Sequence, residues 1–208
     1  PLHDERAFTL VFAADVGEDE DVAVLSEGLE VAGELAAAAV GDADPSTGTP
    51  LTPVTPLRIA SVTKTFVAAA ALRLVEQHHL ALDDPIARLL SPATDALLRD
   101  DGYRTRRITV RMLLDHTSGL FDYAASDAYD ARTTGDPGHR WTATEQLHFA
   151  VDHGDPLAAP GRAYHYADTN FVPIGEIIER AGGEPLPVVA RCIAGFSRLG
   201  LDHTWWEE

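Results

Sequence analysis

The sequence predicts an α+β fold, with strands first and helices after. Three observations carry this. Residues 1–57 hold short apolar runs separated by acidic, glycine and proline clusters. From residue 58 onward apolar residues recur three and four apart, the period of an amphipathic helix. A hydrophobic content of 45% over 208 residues is enough to bury one core, so no second domain is required.

The elements follow in order. "RAFTLVFAAD" (6–15) reads as an apolar strand, and the acidic turn "GEDED" follows it. "VAVLSEGLEVAGELAAAAVG" (22–41) reads as a hairpin with its turn near Glu27 and Gly28. "GDADPSTGTPLTPVTP" (41–56) is a loop by its Pro, Gly and Thr content. Phe66, Val67, Ala70, Leu74 and Val75 then mark a helix after Ser61, which Ser61 or Thr63 can cap. A second helix covers "TVRMLLDH" (109–116), and "TATEQLHFAV" (142–151) opens on a capping-box pattern, Thr142 and Glu145. "NFVPIGEIIERA" (170–181) and "LPVVARCI" (186–193) complete the helices, with Pro173 tolerable near the start of its own.

Chemistry enters at "RIASVTKTF" (58–66), which holds the one lysine of a chain that otherwise uses fifteen arginines. Arginine keeps its proton at any pH a protein survives, whereas a lysine gives one up when desolvated or placed beside another cation. Lys64 is therefore a candidate for proton transfer. Ser61 precedes it by three residues, and at helical spacing the two are separated by about 4.5 Å of rise and roughly 60° around the axis, on one face. A serine becomes a useful nucleophile when a neighbour takes its proton. At a reference pKa of about 10.4 a lysine is neutral in under ~0.1% of molecules at neutral pH, and bringing it near 7 takes roughly 4–5 kcal/mol of burial or like-charge repulsion. S-x-x-K alone is a weak signal, so a second one is needed.

"PGRAYHYADTNF" (160–171) supplies it. Together with "SVTK" and "ITVRMLLDHTSGL" (108–120), it resembles the serine β-lactamase and penicillin-binding-protein superfamily, in the branch of the class C β-lactamases, D,D-peptidases and family VIII esterases. "GTPLTPVTPLRIASVTKTF", "LALDDPIARLLSP" and "LGLDHTWWE" stand in the family's order around these motifs, so the resemblance runs from about Val22 to the end. It implies a β-lactamase/transpeptidase-like fold, an antiparallel sheet with a mainly helical subdomain. Residues 1–57 would supply N-terminal strands and residues 58–208 the helical part carrying the motifs, within one structural domain. The family's N-terminal helix has no evident counterpart here.

Carried over position by position, the resemblance makes Ser61 the acylated nucleophile, Lys64 its amine partner and Tyr166 the tyrosine of a Y-x-N motif that relays protons. Which of Lys64 and Tyr166 holds the proton at rest is a coupled titration that residue order leaves open. Asp168 occupies the third motif position, a substrate-binding position where the family has asparagine. An ionised aspartate offers acceptors only, and it attracts Lys64 and raises its pKa, which shifts base duty toward Tyr166. This favours an ester over a penicillin or peptide amide; the alternative is an Asp168 that is protonated or turned away.

A second departure concerns the late (Lys/His)-(Ser/Thr)-Gly strand whose backbone completes the family's oxyanion hole. No such triad stands where it is expected, and an ending in "LGLDHTWWEE" reads as truncation, with C-terminal strands and a last helix to follow. An oxyanion donor is worth about 10²–10³ in rate, so these 208 residues alone would be nearly silent until a C-terminal segment of the same protein completes the site.

The expected activity is thus a serine hydrolase acting through an acyl-enzyme on a small ester or amide, an esterase first and a β-lactamase or D,D-peptidase second. A non-catalytic binding or assembly member of the same fold is the rival. A formal net charge of −17 argues against nucleic acid and anionic membranes as partners, and acid excess with one lysine fits both a salt-adapted host and GC-rich coding. No cofactor is implied. No His pair has zinc-site spacing, and His116, in "DHTSG", reads as a structural helix end rather than a base. No apolar run reaches the ~18 residues of a membrane span. Cys192, alone in an apolar run, reads as packed core. With no signal peptide visible the cytoplasm is the expected compartment; a chain beginning at Pro1 leaves a removed leader, and so a secreted or periplasmic location, open.

Overall fold

The structure, a computed structural model, describes residues 28–31, 34–37, 39–193, 195–201, 204 and 206. It divides into two compact units, Pro1–Ser61 and Val62–Glu208. The expected strand at 6–15 and the acidic turn after it lie outside the described residues.

The first unit is built from two antiparallel hairpins. Strands β1 (Gly28–Val31) and β2 (Glu34–Ala37) pair in a register that sets Val31 against Glu34. The turn thus falls between Val31 and Glu34 rather than near Glu27 and Gly28. β3 (Asp42–Asp44) and β4 (Thr49–Pro50) form a second, irregular hairpin inside the stretch expected to be loop throughout. Asp44 organises its turn: its carboxylate accepts from the Ser46 N–H (2.9 Å) and Oγ (2.6 Å).

The second unit is helical. A 3-10 turn, Ala60–Val62, leads into α1 (Thr63–Glu76). Its N-cap is Val62, which has no side-chain acceptor, so neither Ser61 nor Thr63 caps it as expected. The buried stripe of α1 is Val67, Ala70, Ala71 and Leu74, at helical spacing. α2 (Pro92–Asp100) starts at Ser91, whose hydroxyl accepts from the Thr94 N–H at 3.2 Å.

α3 is shorter than its pattern. It spans Val110–Leu114 under a Thr109 cap, because His116 adopts φ 58° and so leaves helical space. α4 (Asp127–Gly135) is followed by α5 (Ala143–His153), where Thr142 and Glu145 form the reciprocal capping box: the Thr142 N–H donates to Glu145 Oε2 (2.8 Å) and the Glu145 N–H to Thr142 Oγ1 (3.2 Å).

The core sits where α6 (Phe171–Gly182) packs against α1, α3, α5 and α7 (Leu186–Ile193). Leu74, Leu98, Leu113, Ile174, Ile177 and Ile178 are essentially solvent-free there. Phe196 closes on Phe66 edge to face at 5.4 Å, and the chain beyond α7 folds back, with the Arg191 guanidinium donating to the Thr204 carbonyl. Cys192 is exposed, which corrects the expectation of a packed thiol. The inward face of α7 is Val189 and Ala190, whereas Cys192 lies one turn beyond the exposed Val188. Among the described residues no helix is long and apolar enough to cross a membrane.

Candidate active site

Lys64 stands in the first turn of α1, and the packing of α1 on α6 carries it to the segment just before α6. That segment is Tyr166, Ala167 and the 3-10 turn Asp168–Asn170. Lys64 Nζ lies 2.5 Å from Asp168 Oδ1, hydrogen-bonds the Tyr166 side chain, and sits 5.1 Å from the Tyr166 ring centroid and 5.6 Å from that of Phe171. Three of the four residues singled out in the sequence are therefore brought together. The fourth, Ser61, occupies the turn that precedes α1, three positions before Lys64. Ala60, just ahead of it, holds φ 42°, a left-handed conformation that costs an alanine about 1–2 kcal/mol. Backbone strain is thus stored next to the expected nucleophile.

Burial depresses the Lys64 pKa, but the hydrogen bonds and charges of Asp168 and Tyr166 outweigh it, and the amine lies above the ordinary lysine range. Lys64 is an ammonium at neutral pH. Asp168 is held from below: its N–H donates to Asp122 Oδ1 at 2.9 Å. Burial, with the charge of Asp168 adding to it, lifts the Asp122 carboxyl above the usual carboxylate range, although the Asp168 N–H pulls the other way.

A second layer explains why "HTSGL" and "PGRAYHYADTN" occur in one chain. The two stretches lie backbone to backbone: the Gly161 N–H donates to the Thr117 carbonyl (2.8 Å) and His165 to His116 (2.9 Å), and just ahead of the second stretch Leu157 donates to Gly119 (2.9 Å). Gly119 has φ 83°, and a Cβ there would stand 2.1 Å from the Ala158 carbonyl oxygen, so no other residue permits this approach. Asn170, fully buried, spends its amide on the same seam. Its Oδ1 accepts from Ser118 Oγ (2.5 Å), and its Nδ2 reaches His116 Nδ1 (3.1 Å) and the Ala167 carbonyl (3.2 Å).

Beside Asp168 stands an aromatic wall. Tyr123 and Tyr129 meet at 5.0 Å, Tyr129 and Trp141 at 5.0 Å, and Trp141 and Phe149 at 5.4 Å. The Tyr123 N–H donates to Thr169 Oγ1 at 3.3 Å, which ties the wall to the turn holding Asp168. Burial pushes both phenols up, with the neighbouring Tyr129 next for Tyr123 and the charge of Asp168 next for Tyr129, so they remain hydrogen-bond donors.

His116, Ser118, Asp122 and Asn170 were not singled out as functional from the sequence. Each acts through partners 46 to 54 positions away, a separation with no local signature. Among the described residues no three His, Cys, Asp or Glu side chains gather as a metal site would require.

The Beta-lactamase family model matches residues 16–208. Esterase EstB of Burkholderia gladioli is 37% identical over 161 residues, covering 71% of this chain and 38% of the esterase. A D-stereospecific amidohydrolase from Streptomyces superposes with a TM-score of 0.60 at 33% identity, over 65% of this chain and 40% of its own. The D-amino acid amidase from Ochrobactrum anthropi, solved with L-phenylalanine amide, superposes with a TM-score of 0.65 at 31% identity, over 83% of this chain and 43% of its own. The fold is thus β-lactamase/transpeptidase-like, and the chain spans about two fifths of the length of these relatives.

Proposed function

This chain belongs to the Beta-lactamase family, and from that premise we propose that the whole protein is a serine hydrolase that works through an acyl-enzyme, with small esters as its preferred substrates. The observation that carries the reading is the Lys64–Tyr166–Asp168 cluster at the junction of α1 and α6. Ser61 Oγ attacks the ester carbonyl carbon and the Tyr166 oxygen takes its proton. The Lys64 ammonium, hydrogen-bonded to that oxygen, keeps it poised to accept the proton. Collapse of the tetrahedral intermediate expels the alcohol, which leaves with the proton returned by Tyr166. Water then enters by the same proton route, releasing the acid and restoring Ser61.

The Ser61 N–H serves as one oxyanion donor, and a segment of the whole protein beyond residue 208 supplies the other. Asp168 sets the preference for esters. A carboxylate tied to Lys64 offers no N–H to a substrate amide carbonyl, whereas an asparagine in its place would. An alkoxide also leaves more readily than an amide nitrogen, so the lost contact matters less for an ester. Similarity to EstB supports this choice.

Amide hydrolysis is the second reading, favoured by the likeness to a D-amino acid amidase over 83% of the chain. The full-length protein, tested with a p-nitrophenyl ester, D-phenylalanine amide and a penicillin, discriminates among the readings. Ester turnover that Ser61→Ala abolishes supports the first. Faster amide turnover supports the second, and no turnover of any of them favours a non-catalytic member of the fold.

A further inference from the structure

We propose that His116 is the positioning residue of Tyr166, holding its phenol against Lys64 by gripping the chain on both sides of it. The inference extends the proposed hydrolase site and rests on that reading for its catalytic consequence, though not for its geometry.

Four contacts bracket one residue. The His116 carbonyl accepts from the His165 N–H at 2.9 Å, on the near side of Tyr166. Its Nδ1 accepts from the Ala167 N–H at 3.2 Å, on the far side. The same Nδ1 takes the Asn170 amide at 3.1 Å, which fixes the turn that follows. Between these anchors the imidazole stacks on the Tyr166 ring itself, centroid to centroid 4.5 Å at an interplanar angle of 27°. Tyr166 still keeps 42% of its surface open, so the grip leaves it reachable. The left-handed backbone of His116, φ 58°, is what turns both its carbonyl and its ring toward the same segment. A non-glycine residue persists in that conformation only where its surroundings over-determine it.

The arrangement demands a neutral ring. A nitrogen that accepts from Ala167 carries no proton, so the proton of the neutral imidazole sits on Nε2. The groups facing the ring decide its charge. Lys64 approaches from α1, Asp168, Tyr166 and Tyr164 come from the segment before α6, Phe171 from α6, and Asp115 lies beside it on its own element. Burial, then the Lys64 charge, holds His116 below the ordinary imidazole range, with Asp168 opposing. Protonation would place a second cation beside Lys64 and leave the Ala167 N–H facing another N–H. The grip on Tyr166 would then open.

The test uses the full-length protein labelled at tyrosine Cζ, with His116→Asn beside wild type. Asparagine tolerates positive φ and presents an oxygen where Nδ1 stood, but it does not titrate. In wild type the Tyr166 Cζ resonance should shift as His116 protonates below its ordinary pH range, and the rate of fluorophosphonate labelling should fall roughly tenfold per pH unit over the same interval. In His116→Asn both should stay flat there. A merely structural histidine would change stability without moving this acid limb. A wild-type Tyr166 resonance that ignores the His116 titration overturns the proposal, as does a His116→Asn protein with an unchanged acid limb; the wild-type titration decides it alone if the variant does not fold. Absence of any wild-type adduct alongside a responsive Tyr166 resonance would sink the hydrolase reading and leave the positioning role standing.

Discussion

Lys64 Nζ and Asp168 Oδ1 lie 2.5 Å apart, and that contact leaves the chain's one lysine charged. A residue singled out because lysine can become neutral is held in the opposite state by the carboxylate that replaces the family's asparagine. Asp168→Asn should therefore lower the Lys64 pKa, and the linkage has a definite sign. Because the folded value is raised, the pair stabilises fully below the unfolded lysine pKa of about 10.4, and the contribution is lost as pH climbs through the folded value. The pair is partly exposed, so the stability difference between wild type and Asp168→Asn should be about 1 kcal/mol near pH 8 and shrink above pH ~10.5. Urea titrations at several pH values check it.

Lys64→Arg should keep the fold and lose acylation. Arginine preserves the positive charge facing Asp168, but its longer, planar head spreads that charge and does not seat it as a compact ammonium against the Tyr166 oxygen. Turnover of an activated ester by the full-length protein should drop about 10²–10⁴-fold with an unchanged circular dichroism spectrum. A fully active arginine variant would refute the role given to Lys64.

Two glycines with positive φ should respond differently to alanine. At Gly119 a Cβ would collide with the Ala158 carbonyl at 2.1 Å, and the seam beneath Tyr166 would have to open. At Gly102, with φ 90°, it would meet open space. Gly119→Ala should cost more than about 3 kcal/mol, and Gly102→Ala only the backbone strain of roughly 1–2 kcal/mol. Thermal unfolding of both variants decides this.

Removing the reciprocal cap of α5 gives a milder effect. Thr142→Ala frees the Glu145 N–H and should destabilise the protein by about 1 kcal/mol, as read by urea denaturation. Activity should change little, since the Thr142 side chain bonds Glu145 at the start of α5 and not the site residues.

What the sequence made legible was whatever is encoded locally. The capping box of α5, the stripe of α1 and the spacing from Ser61 to Lys64 are all properties of short windows. Lys64, Tyr166 and Asp168 were found because ordered motifs marked them. The seam between "HTSGL" and "PGRAYHYADTN" was not legible, because its meaning lies in bonds such as Asn170 to His116 that join residues 54 positions apart. Local signals also misled. Gly28 looked like a turn, yet it opens β1 and pairs with Ala37. Cys192 sits in an apolar run, but a helix hides only one face of such a run, and Cys192 is on the other.

The central claim, that Ser61 is a nucleophile served by Lys64 and Tyr166, is tested most directly by intact-mass spectrometry of the full-length protein before and after a fluorophosphonate probe. The account predicts one adduct on wild type, none on Ser61→Ala, and greatly slowed labelling of Lys64→Arg. An adduct that persists on Ser61→Ala, or no adduct on a folded full-length wild type, would contradict it.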